Sequence, residues 1–173
     1  VRPMLLLFNV ATLLQNSKSN IRFQFDSFKS QSWNIEHVRS ISDDRPDRHH
    51  ERVKWLQSCL GYLVSVGADP DLRAAIADYI ARPMKEAGHD VFDPLYDRIL
   101  AHFREDTEEE ADHGISNLAL LDEHTNKSYK NAVFAVKRQR LLELDQSGIF
   151  VPLCTRNVFL KCYSPQVDNV MFW

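Results

Sequence analysis

Two short stretches that read as strands stand far apart in this chain, and most of what lies between them has helical spacing. Trp33-Asn34-Ile35-Glu36-His37-Val38 alternates, with Trp33, Ile35 and His37 on one face and Asn34, Glu36 and Val38 on the other. Asn117-Leu118-Ala119-Leu120-Leu121-Asp122 is a short apolar run with the look of a second strand. If the two pair, they must close over everything in between. This predicts an α+β domain, mostly helical, in which a small β-hairpin carries a helical insertion between its strands. We place that insertion at 48–112 and read 1–173 as one domain.

Helical spacing dominates the insertion. Val53, Leu56, Leu60, Leu63 and Val64 recur at helical intervals. Asp69-Pro70 reads as an N-cap followed by Pro at the first helical position, and opens a helix with Leu72, Ile76 and Ile80 that ends before Pro83. A third helix is expected from Val91 to Phe103, with Leu95, Ile99, Leu100 and Phe103 inward. Outside the insertion, residues 3–15 read as a short apolar helix, and Ile21-Arg22-Phe23-Gln24-Phe25 as a half-buried strand. Thr125 or Asn126 is expected to open a long amphipathic helix to about Leu144, stopped by Gly148. Ile149 to Tyr163 is apolar and β-branched, and reads as a strand or an irregular docking segment.

Charge is unevenly spread. Residues 1–54 carry a net +3, residues 55–112 a net −8 and residues 113–173 a net +2, within a total of −3. The run Glu105–Asp112 holds six acidic groups and is expected to be a solvated linker. Lys127, Lys130, Lys137, Arg138 and Arg140 put five basic groups in fourteen residues. Spacings of three and seven place Lys127, Lys130 and Lys137 on one helical face, as a stripe along a phosphate backbone requires. Three cysteines, Cys59, Cys154 and Cys162, with no CxxC pair, argue against a disulfide framework and a four-cysteine zinc site, and a reducing cytoplasm is the simplest home. The apolar run Met4–Ala11 is too short for a bilayer, which takes ~20 residues, and no membrane partner is expected. A first residue Val and a last stretch Val170-Met171-Phe172-Trp173 lead us to expect a piece of a longer protein.

The chemistry is concentrated in Glu36-His37, Asn117 and Asn126. A carboxylate can hold a divalent ion through oxygen, and a neighbouring His can take the proton from a water attacking phosphorus. Asn126, near the start of a helix, offers a second oxygen ligand, and the positive end of that helix suits a phosphate. A strand with His, a second strand and a helix with Asn make the ββα-metal plan of HNH nucleases. An all-oxygen shell favours a single Mg²⁺ or Mn²⁺ over zinc. Adjacent His49 and His50 point about 100° apart on a helix and are not expected to share a metal.

These words, with Ser116-Asn117-Leu118-Ala119-Leu120-Leu121, Thr125-Asn126-Lys127-Ser128-Tyr129-Lys130-Asn131, Phe134, Lys137-Arg138 and the tail Val151–Lys161, resemble the C-terminal HNH nuclease domain of GmrSD-type modification-dependent restriction enzymes. The resemblance implies His37 as general base, Glu36 and Asn126 as metal ligands, and Asn117 as the middle Asn that braces the loop between the strands. It places Asn131 and Lys137 near the DNA backbone, beside Lys127 and Lys130. It further implies a ParB-like N-terminal domain in the full-length chain, a DNA substrate that carries modifications, and a role in defence against foreign DNA. A double-strand cut needs two such domains, so a homodimer is an expectation. The sequence departs from the family at Val38-Arg39-Ser40-Ile41, where a Pro often follows the His, and at Ser116, where Gly is usual. The alternative is a catalytically inactive DNA-binding or regulatory module with an HNH-like shell.

Overall fold

The strand pair forms across the insertion. In the computed structural model, which describes residues 1–15, 17–18, 20–38, 45–103, 114–123 and 132–160, β1 (Trp33–His37) and β2 (Leu118–Asp122) make a two-stranded antiparallel sheet. Trp33 stands opposite Asp122, Ile35 opposite Leu120 and His37 opposite Leu118. The remaining described elements are helical, namely α1 (Arg2–Gln15), α2 (Phe25–Lys29), α3 (His49–Ser65), α4 (Pro70–Ala81), α5 (His89–Phe103), α6 (Phe134–Gln146) and α7 (Leu153–Leu160), with short 3₁₀ turns at Met84–Glu86 and Ile115–Asn117.

The chain divides into two compact units. The described part of the first comprises 1–15, 17–18, 20–38, 114–123 and 137–160. Here β2 packs on α1 and α7, and Leu5, Trp33 and Leu120 form a core flanked by Leu6, Phe28, Leu118 and Phe150. The Trp33 ring stacks on Phe28 at 5.0 Å, and its Nε1–H donates to the Phe28 carbonyl at 2.7 Å. That bond leaves the indole nitrogen satisfied in an apolar setting, as burial demands.

Three expectations for this unit are corrected. Ile21–Phe25 is not a strand: residues 20–24 have no regular structure, and α2 begins at Phe25. Its alternation serves instead to bury Phe23 against Phe25, Phe28 and Phe150, at ring separations of 4.9, 5.5 and 5.6 Å. Side-chain packing has taken the place of a ladder.

Ile149–Tyr163 holds a helix, α7, from Leu153 to Leu160. Pro152 is tolerated at its threshold, where the missing N–H would have no partner anyway. Asn9 of α1 accepts from the Cys154 N–H at 2.8 Å and so caps the first turn. Thr155 donates to the Leu120 carbonyl at 2.7 Å, and Thr155 and Phe159, four apart, are the buried stripe.

The long helix from Thr125 to Leu144 is also shorter than expected. α6 begins at Phe134, and Ala132 and Val133 are not helical. All of 132–137 is buried, a run that cannot be one face of an amphipathic helix. At its other end, Gly148 at φ +69° donates to the Asp145 carbonyl at 3.1 Å, and Ile149 to the Leu144 carbonyl at 3.0 Å. This is the Schellman ending that a glycine permits.

The second unit, described over 45–103 and 132–136, holds α3, α4 and α5. The buried stripe of α3 is Arg52, Trp55, Leu56, Cys59 and Leu63; Val53 and Leu60 are half-buried and Val64 is 56 % exposed. The inward face is therefore turned toward Trp55 and Cys59 relative to the aliphatic pattern. α4 buries Leu72, Ile76 and Tyr79, and α5 buries Phe92, Tyr96, Ile99 and Phe103. Each such side chain contributes roughly 1.5–3 kcal/mol on burial. Asp69 caps α4 as expected, accepting from the Leu72 N–H at 2.9 Å, with Pro70 at the first helical position. Arg45 bridges Asp93 and Asp97 at 3.1 and 2.6 Å and lies 4.6 Å over the Tyr96 ring. The acidic run 105–112 lies outside the described residues. No helix among the described residues is long and apolar enough to cross a membrane.

Candidate active site at the end of the strand pair

Glu36 and His37 are the last two residues of β1, and Asn117 is the last residue before β2. Antiparallel pairing brings these ends together, although 79 residues separate His37 from Asn117 in sequence. His37 is opposite Leu118, and beyond the ladder the Val38 N–H donates to the Asn117 carbonyl at 2.9 Å. The Asn117 N–H donates in turn to the Gly114 carbonyl at 3.0 Å, which closes the 3₁₀ turn that delivers the chain into β2. Asn117 is only 4 % exposed, an amide held inside the fold.

Lys137, on the first turns of α6, reaches the same place. Its Nζ lies 2.6 Å from Glu36 Oε1 and donates to the His37 carbonyl at 2.8 Å. The two side chains are 3 % and 12 % exposed, so this is an interior ion pair. Removing one partner of such a pair costs about 3–5 kcal/mol, because the other is left buried and uncompensated. Sequence reasoning put Lys137 on an exposed stripe. The available signal was its context, since it directly follows the apolar run Ala132–Val136.

The remaining site residues named from sequence, Asn126, Lys127, Lys130 and Asn131, lie outside the described residues. Two histidines elsewhere pair locally: His89 meets Asp47 and Asp93 at 3.3 and 3.5 Å, and His102 meets Asp69 at 3.4 Å. No group of three His, Cys, Asp or Glu able to hold a metal occurs among the described residues. The donor chemistry at Glu36 nevertheless suits a hard divalent ion. A carboxylate has two oxygens and about four lone-pair sites, so pairing of Oε1 with an ammonium still leaves Oε2 able to accept a ligand bond.

No curated protein and no solved structure matches the chain. Glu36 and His37 lie upstream of the stretch on which a family can be placed. The model of the GmrSD restriction endonucleases, C-terminal domain, matches residues 94–152, which hold α5 from Pro94 onward, Asn117, β2 and α6 with Lys137, and over that stretch the resemblance read from the sequence is borne out.

Proposed function

We propose that this chain is a nuclease domain that hydrolyses phosphodiester bonds of DNA, in the restriction of foreign and modified DNA. The observation that carries this reading is the pairing of β1 with β2, which sets Glu36-His37 beside Asn117. The family match over 94–152 supports it independently. We read the strand pair as part of a ββα-metal core whose helix is supplied downstream of β2.

In this reading His37 takes the proton from the attacking water. Asn117 braces the turn opposite it. Glu36 and Asn126 are the residues that would hold one Mg²⁺ or Mn²⁺. Bound there, the ion supplies charge stabilisation to the phosphate in the transition state. Lys127, Lys130 and Asn131 meet the DNA backbone, a term that falls with added salt. Recognition of the modification belongs to a ParB-like N-terminal domain, and a double-strand cut to a homodimer.

The test is plasmid cleavage with Mg²⁺ or Mn²⁺, wild type beside His37→Ala, on modified and unmodified DNA. We expect cutting that requires the ion and is lost in the variant, while folding and most DNA binding survive. A His37→Ala protein that cuts at the wild-type rate would remove His37 from the mechanism. Salt-dependent DNA binding with no cutting on either substrate would instead mark a binding module.

A further inference from the structure

We infer that Lys137 is a positioning residue, an internal cation that fixes Glu36 and the backbone at His37, and that it does not contact the DNA backbone. Its consequence for cleavage rests on the nuclease reading above; the pairing itself stands on the geometry. A lysine that neutralises a phosphate must present its ammonium to solvent. Lys137 does the opposite. It ends a run of six consecutive buried residues, and its side chain is 3 % exposed.

Burying an ammonium is tolerable only with partners that replace its water. Here the partners are the Glu36 carboxylate at 2.6 Å and the His37 carbonyl at 2.8 Å. The first is a charge-assisted bond at the short end of its range. Both belong to consecutive residues of β1, so one ammonium clamps a side chain and the main chain that follows it. The clamped carbonyl is that of the proposed base, and the clamped carboxylate is the proposed ligand. Holding Oε1 from inside the protein fixes the direction in which Oε2 is offered. Small displacements at such a place are costly to catalysis, on the order of 10²-fold for about 1 Å.

The experiment is a double-mutant cycle on this chain with Glu36→Gln, Lys137→Met and the double variant. It is read by thermal unfolding, by plasmid cleavage and by the salt dependence of binding to a labelled DNA duplex. We expect each single variant to lower the melting temperature, and the double variant to lose clearly less than the two together. If Lys137→Met does not fold, recovery of a folded double variant carries the same meaning. Lys137→Met should lower kcat by about 10²-fold with duplex affinity and salt slope unchanged. Additive losses in stability, or, where Lys137→Met does not fold, a double variant that does not fold either, would overturn the pairing. A salt slope reduced by about 1 would return Lys137 to the DNA backbone. Wild-type protein that cuts nothing would overturn the nuclease reading and the kinetic consequence with it, and the stability cycle would still decide the pairing.

Discussion

Val38 donates its backbone N–H to the carbonyl of Asn117 at 2.9 Å, one step beyond the last paired residues of the sheet. The bond ties the end of β1 to the turn that begins β2, and Val38 itself is 1 % exposed. An amide held in this way exchanges only when the ribbon opens. We expect the Val38 amide to exchange as slowly as those of the β1–β2 ladder, although it lies outside both strands. Truncating the buried Asn117 to Ala should destabilise the fold by about 1–3 kcal/mol, the cost of disturbing a buried polar group. Hydrogen exchange followed by NMR and urea unfolding check the pair. A Val38 amide that exchanges at the rate of an exposed loop would mean that the two ends are not joined in solution.

Two glycines should respond to alanine with opposite signs. Gly148 sits at φ +69° with no atom within 4 Å of an added Cβ, so its cost is purely that of the backbone conformation. Gly148→Ala is expected to destabilise by about 1 kcal/mol. Gly61 lies inside α3, and an added Cβ also meets nothing within 4 Å. Gly61→Ala should therefore stabilise by roughly 0.5–1 kcal/mol. Urea unfolding of both variants decides; a destabilising Gly61→Ala would show that this helix face is covered.

The same contrast shows what was legible in the sequence. Local signals survived where a local rule sufficed: Asp69-Pro70 opened α4, Gly148 ended α6, and the alternating stretch at Trp33 became β1. The readings that failed were those in which tertiary packing outweighed the local pattern. Phe23 alternates with its neighbours but is buried by an aromatic cluster, without a strand partner among the described residues. Residues 153–160 look apolar and β-branched, yet Asn9, 145 positions away, satisfies the first turn of a helix there. For the site, the residue types and their order were readable from Glu36, His37 and Asn117. The pairing of Lys137 with Glu36 was not, because an ion pair between residues 101 positions apart leaves no periodic trace.

Cys154 should be a sluggish thiol. Burial pushes its pKa up, and the hydrogen bond from Sγ to Thr12 Oγ1 at 3.5 Å pulls it back only in part. It lines an apolar cavity of about 360 Å³ with Met4, Phe8 and Val158. A raised pKa means that less thiolate is present at neutral pH than in an exposed cysteine, and the thiolate is the nucleophile. Alkylation by iodoacetamide at pH 7 is expected to be slower at Cys154 than in the unfolded chain, and to accelerate as the pH rises past the ordinary thiol range. Peptide mass spectrometry of a timed reaction measures it. Equal rates in folded and unfolded protein at pH 7 would contradict the burial.

Asn9 joins α1 to α7 through both ends of its amide. Its Nδ2 donates to the Leu5 carbonyl at 2.8 Å within α1, and its Oδ1 accepts from the Cys154 N–H, one of the N-terminal donors of α7 that has no partner inside its own helix. Asn9 is 2 % exposed, so water cannot take over either role. Asn9→Ala removes the acceptor and should cost about 1–3 kcal/mol, the penalty for leaving a buried donor unsatisfied. Asn9→Asp keeps the acceptor and sets a negative charge at the positive end of α7, an interaction worth up to about 2 kcal/mol when partly buried. It loses the donor to Leu5, whose carbonyl retains its intrahelical bond, but it also buries a charge, so it should fall between wild type and Asn9→Ala. The ranking is read from urea midpoints at pH 7. An Asn9→Asp protein less stable than Asn9→Ala at pH 7 would show that desolvating the carboxylate outweighs the cap.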